Sequence, residues 1–455
     1  MKDRAIDRNA VITSLHIAFF CLVLTAALDT GFAAVTGSLR LDTQLIRGTP
    51  TPSPARFIVR DLQGISDISL TCSQLGCQVM QNIGDPDGQL FVVQSSGVVS
   101  SALFLTQLLS ASGVSSAEPD QTGNTPPARV AGWPWYASDR TPVPYFGATV
   151  WEGYLLQTPN QIVRTADTQS AFGVSGSGTA VALIDGGSEM ADVTQSTVGV
   201  VDGQSATLNQ SSEGTVQQST VGVVDQSGFS AFGHGTMTAG IVHLVAPNAS
   251  LMPLKAFNAS GQGYESDVLR AIYYAVNHRA NVINMSFEFT GPSVELANAV
   301  TYATNKGLIC VGSAGNDGSM AIVYPSGLPN VIDVASTSNS KTPSSFSNYG
   351  TPPVWISAPG EAVLTTYPNE SYALGWGTSF SAPFVSGTVA LMASLSPANA
   401  GLLNQAKAAD ALSHAQPIPA LGYGFGVLDT YQAVQSWQSS LPVSVAAPCA
   451  ILGSC

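Results

Sequence analysis

The sequence predicts an α/β fold: a mostly parallel sheet with helices on both faces, preceded by a small α+β unit. Three observations carry this prediction. From about residue 150 to 440, short apolar runs alternate with segments of helical period, the pattern of strands joined by crossover helices. Residues 55–120 instead place strand patterns before and after one amphipathic helix. The length, 455 residues, leaves room for two or three domains at roughly 100–200 residues each and for a large core.

The first element in the chain is Ala10 to Leu28, a continuous apolar run behind Lys2, Arg4 and Arg8, with Gly31-Phe32-Ala33-Ala34 after it. A basic start, an apolar middle and a small-residue exit describe a secretory signal peptide, here residues 1–33; an uncleaved anchor is the alternative. No later run reaches the ~20 apolar residues of a span, so no stable membrane span is expected once the leader is removed. Residues 34–54 form an N-terminal extension. In the unit 55–120, Arg56–Arg60 and Gln89–Val93 read as strands. Ser101–Leu109 reads as a helix, apolar at 102, 103, 105, 108 and 109, and Val114–Glu118 as a last strand. Residues 121–149 are rich in Pro and small polar residues and read as a linker. In 150–440, strands are expected at Val181–Ile184, Val282–Met285 and Leu308–Val311, and helices at Ser266–Arg279, Val294–Asn305 and Ser379–Ser394. The octapeptide QSTVGVVD occurs at 195–202 and again at 218–225, which marks 193–228 as a duplicated insertion. Residues 441–455 form a tail.

Charge excludes whole classes of partner. Only 10% of residues are charged, against about 25% in an average soluble protein. The net charge is −13, and the leader's three basic and three acidic residues cancel, so the deficit lies in the rest of the chain. Attraction to a nucleic-acid backbone needs a basic face, which this balance does not supply. Export implies an oxidising compartment. Five cysteines lie beyond the leader: Cys72 and Cys77 are placed to pair locally, as are Cys449 and Cys455, leaving Cys310 in the apolar run Leu308–Val311 as a buried, inert thiol. Neither spacing suits zinc and no His is near, so no metal site is read here.

Four short motifs stand where a strand pattern ends or a helix pattern begins. Asp185 precedes Gly186-Gly187. His234 lies in Gly233-His234-Gly235-Thr236. Asn316 lies in Ser313-Ala314-Gly315-Asn316, and Ser379 in Gly377-Thr378-Ser379. Acyl transfer needs a hydroxyl nucleophile, a base, an acid group that orients the base, and donors for the oxyanion. Ser, His, Asp and Asn supply these four. Taken singly, each has a plainer reading, a helix cap for Ser379 above all.

Together the segments VALIDGG, FGHGTMTAGIVHLVAPNASLMPLKAF, VINMSF, VGSAGND and GTSFSAPFVSGTVALM, in the order Asp, His, Asn, Ser, resemble the subtilases, the subtilisin-like serine peptidases of family S8. The resemblance runs over roughly residues 150–440. It implies a catalytic domain in which Ser379 attacks the scissile carbonyl, His234 is general base and then acid, and Asp185 holds the imidazole. The Asn316 amide and the Ser379 N–H would form the oxyanion hole. Activity would fall below about pH 6–7, where the histidine takes up a proton. Ser286, Phe287 and Glu288, with Ser313, Ala314 and Gly315, correspond to the family's substrate-binding segments. Glu288 stands where a Gly is usual; it either crowds the groove or favours basic side chains, or else is a solvated carboxylate with no such effect. Met237-Thr238 replace the usual His-Val, with packing differences only expected.

The unit 55–120, ending Ser116-Ala117-Glu118-Pro119-Asp120, resembles the family's propeptide; an unrelated accessory domain is the alternative. The resemblance implies a secreted endopeptidase made as a zymogen and cut within 119–150. It would act on protein or peptide substrates and be inhibited by its own propeptide. The rival is a catalytically silent subtilase fold that binds rather than cleaves. No cofactor is expected. Calcium is common in the family, but no Asp-rich loop marks a site.

Overall fold

The computed structural model describes residues 53–125, 134–186, 222–223, 231–258, 260–350, 354–368, 371–395 and 402–441. The leader expected at 1–33, most of the repeat insertion, and the Cys449–Cys455 pair lie outside the described residues.

Residues 56–119 form a four-stranded antiparallel sheet in the order Cys77–Asn82, Leu90–Ser95, Arg56–Asp61, Val114–Pro119. Its central strands are apolar at successive positions because both faces are covered. Phe57, Val59, Phe91 and Val93 pack against Ile68 and Cys72 of the helix Ile65–Leu75 and Phe104 and Leu108 of the helix Ser101–Leu109. Ile58, Leu90 and Val92 face the other way and join Val268, Ile272, Leu296 and Val300, on the helices Glu265–Asn277 and Val294–Asn305. The small unit is thus docked on two helices of the larger domain. The helix Ile65–Leu75 and the strand Cys77–Asn82 were not expected from sequence. Gly76 ends the helix in the left-handed region (φ 73°), a conformation glycine adopts without steric cost. The turn brings Cys77 back to Cys72, and the two are joined as a disulfide with Cα atoms 4.5 Å apart.

The larger domain is built on a six-stranded sheet. Its order is Ser250–Lys255, Ala180–Asp185, Val282–Met285, Ile309–Ser313, Ile332–Thr337, Ile356–Pro359, and every pairing is parallel. Alternate residues feed two cores. Val181, Leu183, Ile309 and Val311 join the helices His234–Val245 and Thr378–Ser394 on one face. Ala182, Ile184, Ile283 and Cys310 join the helices Glu265–Asn277 and Val294–Asn305 on the other. The helix Thr378–Ser394 is buried along almost its whole length, which explains its run of small residues. At Gly387 a Cβ would come within 2.6 Å of Val245 on the neighbouring helix. Cys310 is fully buried, and burial pushes its thiol up to about 12, in keeping with an inert residue.

The segment 121–149, expected as a linker, carries regular structure. Thr122–Asn124 is a strand, Trp135–Ser138 a 3-10 turn, and Pro142–Tyr145 pairs with Ala148–Trp151 as a hairpin. Prolines fit here because a two-stranded ribbon leaves edge N–H positions unused. Tyr136, Ala137 and Ala148 join the core under the parallel sheet, and Tyr136 Oη donates to Ala362 O at 2.7 Å. The larger domain therefore begins before residue 150. From the repeat, Gly222 and Val223 pair in parallel with Ala373 and Leu374. No helix among the described residues is long and apolar enough to cross a membrane.

Candidate functional site

Parallel strands converge their functional residues at their carboxyl ends. Asp185 is the last residue of its strand, Ser286 comes directly after Met285, and Asn316 lies just beyond the strand ending at Ser313. His234 and Ser379 open the two helices packed on the same face of the sheet. Residues scattered over nearly 200 positions are thereby brought together.

Asp185 is buried, and His234 Nδ1 lies 2.8 Å and 2.9 Å from its two carboxylate oxygens. Gly186 N donates to Asp185 Oδ1 at 2.7 Å and Thr238 Oγ1 to Oδ2 at 3.2 Å. With Nδ1–H committed to the carboxylate, the neutral imidazole presents Nε2 as an acceptor, and that atom has no hydrogen-bond partner among the described residues. Gly233, just before His234, has φ 83°, and a Cβ there would come within 2.5 Å of Tyr367. The approach of this helix to Tyr367 therefore requires glycine.

Phe380, the residue after Ser379, has its ring 5.6 Å from the His234 ring. Ser379 Oγ donates to Ser286 O at 3.4 Å. Asn316 is oriented by Thr378, whose N and Oγ1 donate to Asn316 Oδ1 at 2.9 and 3.0 Å. That commitment of the oxygen turns the amide NH2 to the other side.

The expected groove residues divide. Ser286 Oγ donates to Ser379 O at 3.0 Å and accepts from Asn284 Nδ2 at 2.9 Å. The Phe287 ring is buried against Phe257 and Phe289, so its side chain belongs to the core. Glu288 pairs through its own N and O with Asn124, both at 2.9 Å. Ser313 and Ala314 are buried, and Ala314 N donates to Val334 O at 3.0 Å. Gly315 N donates to Thr378 Oγ1 at 3.2 Å.

Two features escaped the sequence reading. Thr238 was expected to affect packing only, yet its hydroxyl touches Asp185; its place one helical turn after His234 was the available signal. The strand Thr122–Asn124 lies between two segments of the larger domain. It pairs antiparallel with Gln262–Tyr264 on one side and bridges Glu288 on the other.

Comparison with known proteins decides the family. The subtilase family (Peptidase S8) matches residues 176–426, more than half of the chain. The chain belongs to the subtilase family. Among curated subtilase relatives, thermitase of Thermoactinomyces vulgaris is 41% identical over 172 residues, which is 36% of this chain and 61% of that protein. Subtilisin Savinase of Lederbergia lenta is 37% identical over 174 residues, 36% of this chain and 64% of that one. The chain thus spans less than two thirds of the length of these relatives. Among solved structures, a lanthipeptide protease superposes with a TM-score of 0.50 at 25% identity, over 62% of this chain and 96% of that one. For the calcium that subtilases often bind, no group of three or more His, Cys, Asp or Glu side chains among the described residues is arranged to hold a metal ion.

Proposed function

We propose that this chain is a secreted serine endopeptidase made as a zymogen, hydrolysing protein and peptide bonds through an acyl-enzyme. The observation that carries the reading is the Asp185–His234 pair beside Ser379 and Asn316. Ser379 is the nucleophile. His234 Nε2 takes its proton and returns it to the leaving amine, while Asp185 fixes the tautomer and stabilises the imidazolium. The Asn316 amide and the N–H of Ser379, at a helix N-terminus, receive the oxyanion.

Residues 55–120 are the inhibitory prosegment, and the strand Thr122–Asn124 directly after them threads the groove. Two prosegment carboxylates reinforce the docking by capping helices of the larger domain. Glu118 accepts from Val294 N and Glu295 N, and Asp120 from Ser266 N, each at 3.0 Å. Export rests on the leader pattern in 1–33.

Casein hydrolysis by the purified chain, beside Ser379→Ala and Asn316→Ala, tests the reading. Wild type should cleave, Ser379→Ala should not, and Asn316→Ala should lose about 100- to 1000-fold in kcat. Mass spectrometry should find the mature N-terminus within 119–150. If wild type stays inert once residues 1–125 are gone, the silent-fold rival stands instead.

A further inference from the structure

The groove position where this chain departs from its family is occupied by a carboxylate that has no ion-pair partner among the described residues. Glu288 is bound into the groove wall through its backbone, where its N and O pair with the strand Thr122–Asn124. Its side chain reaches the opposite wall, where Oε2 lies 3.0 Å from the place a Cβ on Gly315 would take. Gly315 has φ 99°, so this position both favours glycine and leaves room for the carboxylate. Oε2 is buried and has no hydrogen-bond partner among the described residues. Among the described residues no ion pair includes Glu288 or Asp317, two residues beyond Gly315. Burial, and then the Asp317 charge, raise the Glu288 carboxyl to about 7.

The location says which part of a substrate meets this group. Asn316 marks where the scissile carbonyl sits, and Gly315 is its immediate neighbour. The side chain that branches next to that carbonyl belongs to the residue on the acyl side of the cut bond. A lysine or arginine there would bring a cation and N–H donors to Oε2, giving charge-assisted hydrogen bonds. An aromatic or aliphatic side chain would bury the carboxylate further and leave it unpaired, which is costly.

We infer that Glu288, seconded by Asp317, makes this subtilase selective for substrates with lysine or arginine immediately before the scissile bond. This rests on the peptidase reading above. The test uses processed enzyme and four chromogenic peptides that differ only in that residue: Arg, Lys, Phe or Ala. Assays run at about pH 9, above the Glu288 value, so that its carboxyl is ionised. kcat/KM for Arg and Lys should exceed that for Phe and Ala by about tenfold or more. In Glu288→Gln that ratio should fall by about tenfold, chiefly through KM for the basic peptides, and Asp317→Asn should lower it less. Wild-type preference for Phe or Ala overturns the inference, since Glu288 then merely fills the pocket. An unchanged ratio in a folded Glu288→Gln overturns it as well. Should that variant not fold, the wild-type ratio and Asp317→Asn still decide. Cleavage without basic preference sinks the selectivity alone, whereas no cleavage of any peptide or of casein sinks the peptidase reading with it.

Discussion

Pro383 lies within the helix that Ser379 opens and has no N–H to donate. The carbonyl four residues back, that of Ser379, is therefore left without its helical donor. Ser286 Oγ takes the vacancy at 3.0 Å, and is itself held by Asn284, whose oxygen accepts from Ser386 Oγ at 2.9 Å. A buried chain of side chains thus ties the Ser379 backbone to the central strand Val282–Met285. Ser286→Ala should leave Ser379 O and Asn284 Nδ2 buried without this partner, at a cost of about 1–3 kcal/mol. Chemical denaturation should show that loss, together with a lower kcat; unchanged stability would mean the contact contributes nothing. At this scale the sequence offered Asp185, His234, Asn316 and Ser379 as candidates through their order along the chain, and the structure brings His234 Nδ1 onto Asp185 and Asn316 Oδ1 onto Thr378 beside Ser379. Ser286 was legible as a position and not as a hydroxyl with this task, since that depends on which carbonyl a proline 97 residues later sets free. Thr238 was misjudged for a similar reason: one methyl-or-hydroxyl difference from valine acquires meaning only when the carboxylate it touches is known.

At the scale of elements, long apolar runs were read well. The buried strands Val282–Met285 and Ala180–Asp185 and the helix Val294–Asn305 fall where their patterns placed them. The helix Ile65–Leu75 was missed because its buried face is Ile68, Thr71 and Cys72, while Ile65 and Leu70 are exposed and blur the period. The strand Thr122–Asn124 was missed because three residues, one of them glycine, carry no alternation; their partners are the distant Gln262–Tyr264 and Glu288. Gly123 is nonetheless the tightest point of that strand. A Cβ there would come within 2.5 Å of the Phe289 ring and 2.9 Å of Glu288 O, a backbone atom that cannot step aside cheaply. Gly123→Val should weaken the strand's docking by about 1–3 kcal/mol. In a Ser379→Ala background that prevents self-cleavage, amide exchange at Asn124 and Thr125, whose N–H groups donate to Glu288 O and Gly261 O, should quicken by about 10- to 100-fold. Exchange as slow as in the parent would show that the strand is not seated in this way.

At the scale of the whole molecule, the two folded units meet over a group of carboxylates that no sequence pattern could reveal, because its members come from residues 118 to 295. Ser293 Oγ accepts from Leu296 N at 2.9 Å and contacts both Glu118 and Glu265. One hydroxyl proton serves only one carboxylate, so the other contact needs a carboxyl that brings its own proton. Glu118 already accepts two helix N-terminal N–H groups. The protonated partner is therefore Glu265, which is fully buried and, among the described residues, has Oε2 without a hydrogen-bond partner. Burial first, then the charges of Glu118, Asp120 and Glu295, raise its carboxyl to about 8. The two arginines that face this group are already engaged: Arg56 pairs with Asp120, and Arg60 with Glu295 and Asp85. Since the folded value lies above the ordinary 4.5, the Glu265 contribution is fully present below about pH 4.5 and is lost as pH rises through about 8. His243 acts in the opposite sense. Burial lowers it to about 4, so its neutral form favours the folded state above its ordinary 6.5, and that contribution is lost as pH falls through about 4. For the intact chain in a Ser379→Ala background, thermal stability should therefore decline on both sides of a mildly acidic optimum. Glu265→Gln, uncharged at every pH, should flatten the alkaline decline and leave the acid one as it was. An alkaline decline equally steep in Glu265→Gln would remove this carboxyl from the account and leave Asp333, which burial raises to about 7, as the buried acid to examine next.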